Sequence, residues 1–279
     1  MRLVYMLMHQ RKPNVSELTR MLAGAFQKAG IVVSAEPWLA ARMQAEALFS
    51  DALPEECDAV ISVGGDGTFL RSNALAVALG KPILGINAGR VGFLTEVEPA
   101  GLSEACARMA AGEYEIEERM MLKAEVDGQT LLALNDVVLS RGVHARLIGV
   151  NAWAGSEQMG KFIGDGVIVS TPTGSTGYSL SAGGPIVCPE VSCMLLTPIC
   201  AHSLQHRPVV TSAGQIITLR LDEKHAPTAM VSVDGQKAMS LRTGQTMTVT
   251  QSERPARFIR LEPTSFFHMI RIKLSEWSC

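Results

Sequence analysis

Apolar and polar positions alternate along the chain in two regimes. Leu3 to Met8 is a short continuous apolar run, the pattern of a strand buried on both faces. Asn14 then begins a helix, with Glu17 three residues on as its capping partner. Leu18, Met21, Leu22, Ala25 and Phe26 fall at helical spacing, and Gly30 fits the exit. Ile31 to Val33 reads as the next strand and residues 40–50 as another helix. Ala59 to Val63 is again continuously apolar and runs into Gly-Gly-Asp-Gly. Thr68 opens a helix to about Leu79, and Pro82 to Ile86 is a further strand. Short apolar strands alternating with helices predict an α/β domain whose parallel sheet is covered on both faces.

Near residue 113 the period changes. YEIEERMMLKAEV, LLALNDVVLSRG, IGVNAWAG, VIVSTPTG, QIITLRL, AMVSVDG and TMTVTQ follow one another with little helix between them. Glycines and Asp-Gly or Ala-Gly pairs punctuate these runs. The predicted organisation is an α/β domain over 1–112 and a β-rich, sandwich-like domain over 113–255. A segment over 256–279, including FFHMIRIKL, returns to the first domain.

Composition narrows the function classes. The 279 residues are 47% hydrophobic and 19% charged, which suits a packed core. Lys plus Arg number 25 and Asp plus Glu 27, a net charge of −2, without the positive surplus of a general nucleic-acid binder. Six cysteines lack any C-x-x-C or zinc spacing and read as reduced thiols in a cytoplasmic protein. The opening MRLVYMLMHQRKP reads as a buried strand rather than a signal sequence. The most apolar later region, Val187 to Leu204, is broken by Pro189, Glu190, Pro198 and His202, so no membrane span is expected.

Two stretches carry candidate chemistry. In VGGDGTFLR an apolar strand ends in Gly64-Gly65-Asp66-Gly67 just before a helix. Glycines expose backbone N–H groups, and a helix N-terminus adds partial positive charge, a combination suited to phosphate. This loop is neither a P-loop nor a dinucleotide fingerprint. Asp66 would repel a polyphosphate unless a cation lies between them, or unless it faces an attacking hydroxyl as a base. The alternative is an ordinary Asp-Gly turn with Asp66 capping the helix. The second stretch, residues 164–187, combines Asp165, Thr171, Thr173, Ser175, Thr176, Tyr178, Ser179 and Ser181 with glycines at 166, 174, 177, 183 and 184. It suits hydrogen bonding to sugar and base edges, or equally a polar turn capping the next helix. His202 and His206 stand at i, i+4 with no third ligand in view, and read as ordinary histidines.

Together these motifs resemble a known family. VGGDGTFLR (63–71), GINAGRVGFLTE (85–96), Asn135-Asp136 in LNDVVLSRG, GDGVIVSTPTGSTGYSLSAGGPI (164–186), PICAHSLQHRPVV (198–210) and VSVDGQ (231–236) are similar, in order, to bacterial NAD kinases. The resemblance implies ATP-dependent phosphorylation of the 2′-hydroxyl of the NAD adenosine ribose. It implies Mg²⁺ with ATP, with metal ligands unassigned, and a homodimer or homotetramer. By this resemblance Asp66 is the general base, and Gly64, Gly65, Gly67 and Thr68 form the phosphate loop. Arg71 helps hold phosphate or NAD, Asn135 and Asp136 grip its ribose and adenine, and Asp165 meets its nicotinamide end. Thr176, Gly177, Tyr178, Ser179, Leu180 and Ser181 form the adenine and ribose pocket, and Arg146 and Gln236 are further NAD contacts. Three positions depart from the family pattern: Asp136 for Glu, Gly177 for Ala and Val91 for Leu. Two alternatives share parts of the pattern. A lipid or sugar kinase of the same broad architecture needs Asp66 but not residues 165–181. A non-catalytic nucleotide sensor tolerates loss of Asp66.

Overall fold

The computed structural model describes the chain except residues 11–13, 44–47, 89–91, 143–145, 204, 263–264 and 277–279, and side chains are not described for 274–276. The chain forms two compact units, Met1–Glu118 with Ala256–Cys279, and Arg119–Pro255.

The first unit holds β1 (Leu3–Met8), α1 (Val15–Lys28), β2 (Val32–Ala35), α2 (Pro37–Arg42), β3 (Ala59–Gly64), α3 (Asp66–Leu79), β4 (Ile83–Asn87), α4 (Leu102–Ala111) and β5 (Glu115–Arg119). Its sheet runs β2-β1-β3-β4, then the returning strand Ala256–Arg260, then β5. The pairs among β1 to β4 are parallel, and Phe258 pairs Ile83 in the same sense. Strands β3 and β4 are buried at every position, because helices cover both faces. One strand face, Val4, Met6, Met8, Ile61, Val63 and Leu84, packs with Leu22 and Phe26 of α1 and Cys106 and Met109 of α4. On α3, Phe69 meets Phe258 edge-on, 4.9 Å between ring centroids. The C-terminal apolar segment is a helix, Phe266–Glu276.

The second unit is two six-stranded sheets. The first orders β10 (Glu157–Gly164), β9 (Ile148–Ala154), β14 (Ile217–Leu221), β17 (Thr246–Gln251), β6 (Leu122–Val126) and β7 (Gln129–Ala133). The second orders β13 (Val209–Ser212), β12 (Cys193–Ile199), β11 (Gly166–Ser170), β8 (Asp136–Ser140), β15 (Thr228–Val233) and β16 (Gln236–Arg242). All their pairings are antiparallel. Leu122, Ala124, Ile217 and Val249 of one sheet share a core with Val137, Val167, Leu196 and Val231 of the other, so this unit is a sandwich. Its helix α5 is only Tyr178–Ser181.

Several expected elements shift. Asn14 stands at the N-cap of α1, but neither its side chain nor a capping box bonds there, since its φ of −113° and ψ of 35° leave the extended cap geometry. The helix expected over 40–50 is instead α2, which starts at Pro37, where the ring pre-sets the first-turn φ. Residues 44–47 of that expectation lie outside the described residues, and Leu48–Ser50 are not helical. Helix α3 begins at Asp66, two residues before Thr68, because extended Gly65 serves as N-cap. Strand β2 covers Val32–Ala35 rather than 31–33, and β4 starts at Ile83 rather than Pro82.

Gly85 in β4 tests how closely α3 is seated. A Cβ added there would stand 2.8 Å from the Phe69 ring and 2.9 Å from the Thr95 backbone. Gly85→Ala is expected to destabilise the first unit by about 1–3 kcal/mol through overpacking, read as a lower urea midpoint. An unchanged midpoint would show that α3 shifts freely.

Candidate active site

The glycine-rich loop lies where β3 becomes α3, at the carboxyl end of a central parallel strand. Thr68 folds back over Gly64 so closely that a Cβ on Gly64 would stand 2.4 Å from Thr68 Oγ1. Gly65 and Gly67 differ: among the described residues an added Cβ would meet nothing within 4 Å. Asp66, in the first helical turn, is no helix cap. Its Oδ2 accepts the Phe93 N–H at 3.0 Å and its Oδ1 the Leu94 N–H at 3.1 Å. Gly92 allows this approach, since a Cβ there would come within 2.0 Å of Asp66 Oδ1. The Ala88 N–H also donates to the Gly64 carbonyl at 3.2 Å. The motifs at 63–71 and 85–96 thus form one structure. Val91 lies outside the described residues.

Arg71, one turn along α3, donates through Nη2 to the Met8 carbonyl at 3.0 Å and to Glu36 Oε2 at 3.3 Å. The same Glu36 oxygen accepts the Met8 N–H and Trp38 Nε1. Glu36 escaped the sequence reading, since a single acid before Pro37 carries no motif signal.

In the second unit, Asn135 is pinned through its backbone. Its carbonyl accepts the Thr171 N–H at 2.9 Å, and a Cβ on Gly174 would lie 2.0 Å from that oxygen. Thr171 Oγ1 donates to the Leu134 carbonyl at 2.6 Å and accepts the Gly174 N–H at 3.0 Å. A Cβ on Gly177 would be 3.6 Å from Asn135 Nδ2. Asn135 Oδ1 is buried and has no hydrogen-bond partner among the described residues. Strand β8 and the loop after β11 are therefore one assembly, although 36 residues separate Asn135 from Thr171.

Asp136 is buried, and burial together with the neighbouring charge of Asp234 pushes its carboxyl up to about 7. Asp234 accepts N–H groups from Leu134 at 2.9 Å, Asn135 at 2.7 Å and Asp136 at 3.2 Å. Burial raises its carboxyl too, against the opposing effect of those donors. Asp165 pairs with Arg141 Nε at 2.7 Å. Tyr178 is 47% exposed, and its hydroxyl is raised by burial, with the charges of Cys200, Asp165 and Asp136 adding. Thr176 bonds back to the Thr173 carbonyl. Ser179 is fully buried against Thr197, 2.9 Å between hydroxyl oxygens, so its side chain is committed inside the fold. Leu180 is half-buried, while Ser181, Gln236 and Arg146 are exposed, Arg146 beside the undescribed 143–145. Asp234 and Arg141 are neighbours that residue spacing did not single out. Among the described residues no three His, Cys, Asp or Glu side chains gather to hold a metal, and the His206 ring packs at a tilt against Phe162.

Comparison with known proteins decides the family. Residues 4–114 match the ATP-NAD kinase N-terminal domain and 134–261 the ATP-NAD kinase C-terminal domain. The chain belongs to the ATP-NAD kinase family. It is 45% identical over 225 residues to the NAD kinase of Moorella thermoacetica, covering 78% of this chain and 71% of that protein. It is 46% identical over 226 residues to the NAD kinase of Heliobacterium modesticaldum, covering 79% and 80%. Among solved structures it resembles an Archaeoglobus fulgidus NAD kinase in complex with ATP, with a TM-score of 0.73, 29% identity and 94% of each chain covered. It shares the fold of a yeast NADH kinase complexed with NADH, with a TM-score of 0.88, 23% identity, and 99% of this chain and 88% of that one covered.

The Asp136 environment predicts a pH dependence. An unfolded aspartate loses its proton near pH 4, whereas folded Asp136 holds it to about 7. The folded chain binds more protons across that window, so this contribution to stability is full below pH 4 and is lost as pH rises through 7. Asp136→Asn is expected to flatten the fall of unfolding free energy between about pH 4 and 7, by up to about 1.4 kcal/mol per pH unit, read as a smaller fall of Tm. A variant whose Tm falls as steeply as the wild type would remove Asp136 from this role.

Proposed function

We propose that this chain is an ATP-dependent NAD kinase that phosphorylates the 2′-hydroxyl of the adenosine ribose of NAD, giving NADP and ADP. The observation that carries the reading is the family match over both domains, with a fixed carboxylate at the start of α3. Phosphoryl transfer asks a protein chiefly for positioning and charge stabilisation. The N-terminus of α3 offers the positive end of its dipole to the phosphates, and among the described residues nothing crowds Gly65 and Gly67, which suits their close approach. Thr68 holds the loop in shape from behind.

Asp66 acts as the general base for the ribose hydroxyl. Each carboxylate oxygen uses one lone pair on Phe93 or Leu94 and keeps another for the incoming proton. Asn135, with an unspent buried oxygen, and Asp136 receive the ribose and adenine of NAD. With its carboxyl pushed up to about 7, Asp136 is partly protonated near neutrality, and the protonated form has a donor to offer. Asp165 serves the nicotinamide end, and Thr176 to Ser181 the adenosine pocket, with Tyr178 as an exposed face and Ser179 acting through its backbone and its packing. Gln236 and Arg146 are further NAD contacts. Arg71 acts on the site through its tie to Glu36 and the end of β1.

Mg²⁺ enters as the MgATP substrate, since Mg²⁺ commonly binds phosphates with one or two carboxylates and keeps its waters. The protein works in the cytoplasm as a homodimer or homotetramer. No described helix is long and apolar enough to cross a membrane. The exposed Val209 and Val210 on the edge strand β13 are consistent with association.

A coupled assay for NADP formed from NAD, ATP and Mg²⁺ tests the activity. Asp66→Asn is expected to keep the fold by circular dichroism and to lose about 10²–10⁴ in kcat. Turnover near wild type would refute the base assignment while leaving the family unchanged. Phosphorylation of a lipid or sugar instead of NAD, or tight NAD binding without NADP, would overturn the reading.

A further inference from the structure

The turn between β15 and β16 holds a carboxylate whose partners lie far away in sequence. Asp234 and Gly235 have φ of +49° and +76°, and Val233 pairs with Gln236, so they are the two central residues of a tight hairpin. Asparagine and glycine suit such a turn at least as well as Asp-Gly. The turn alone therefore does not explain a carboxylate that faces inward and is raised by burial. Its partners do. Three consecutive N–H groups, of Leu134, Asn135 and Asp136, converge on its two oxygens, and its own N–H donates to the Asp136 carbonyl at 3.0 Å.

From the other side, Thr171 and Gly174 hold the Asn135 carbonyl. Both backbone polar groups of Asn135 are thus fixed, and its buried Oδ1 has no hydrogen-bond partner among the described residues. The arrangement also places a negative charge beside Asp136. A carboxylate accepting three backbone donors is a strong, geometrically specific clamp.

We infer that Asp234 is a positioning residue for the dinucleotide: it clamps the 134–136 backbone so that Asn135 and Asp136 are presented to NAD, and acts on the nucleotide only through them. This rests on the NAD kinase reading, and it concerns NAD affinity rather than the chemical step. An asparagine at 234 retains one acceptor oxygen and an alanine none, so the two variants form a graded pair. Hydrogen bonds to a charged group are worth about 1.5–3 kcal/mol, and 1.4 kcal/mol is tenfold in affinity.

The test uses the full chain as wild type, Asp234→Asn and Asp234→Ala. The expected result is a KM for NAD raised about threefold or more in Asp234→Asn and about tenfold or more in Asp234→Ala. The KM for ATP and kcat should stay within about twofold. Hydrogen exchange supplies a readout independent of turnover. The amides of residues 134–136 should exchange about tenfold faster in the variants, while Val137–Leu139 keep their protection. If Asp234→Ala does not fold, Asp234→Asn carries both measurements. A fall in kcat with unchanged KM for NAD, or unchanged exchange at 134–136, would overturn the inference. Absence of NADP formation by the wild type would instead overturn the kinase reading, and exchange at 134–136 would still decide whether Asp234 is the clamp.

Discussion

Carboxylates bonded to the backbone amides of distant segments hold both candidate regions of this protein. Asp66 takes the N–H groups of Phe93 and Leu94, and Asp234 takes those of Leu134, Asn135 and Asp136. In each case a side chain fixes a segment most of whose residues, Phe93 and Leu94 or Leu134 and Asn135, lie outside helix and strand. Charge-assisted bonds to N–H are directional, and a loop held by two or three of them behaves like part of the scaffold. That is the requirement for phosphoryl transfer, where positioning supplies much of the rate.

The same pattern explains the glycines. Gly64, Gly92 and Gly174 stand where a Cβ would strike Thr68, Asp66 or the Asn135 carbonyl. They permit close approach of one loop to another. Among the described residues, nothing lies within 4 Å of a Cβ added at Gly65 or Gly67. One glycine-rich motif therefore holds two kinds of position, and spacing alone does not separate them.

Not every candidate side chain is free for a ligand. Ser179 lies among the small hydroxyls of the second motif, yet it is buried against Thr197. Arg71 stands one turn beyond the loop, yet its guanidinium spans Glu36 and the Met8 carbonyl. Asp165 carries Arg141 as a partner, a half-exposed pair worth little to stability by itself. Asn135 is the contrasting case, with its backbone fully engaged and its side-chain oxygen unspent.

The sequence by itself determined the alternation of buried strands and helices in the first third, the change to a β-rich second part, and the motifs that carry the family. Those features follow from local periodicity and residue type, which survive without knowledge of contacts. Tertiary structure alone decided that Asp66 turns to Phe93 and Leu94 rather than capping α3, and that Asp234 reaches residues some hundred positions earlier. It also decided that FFHMIRIKL forms a helix and that burial beside Asp234 raises the Asp136 carboxyl. Burial and long-range hydrogen bonds depend on which segments meet, and a one-dimensional pattern does not contain that information.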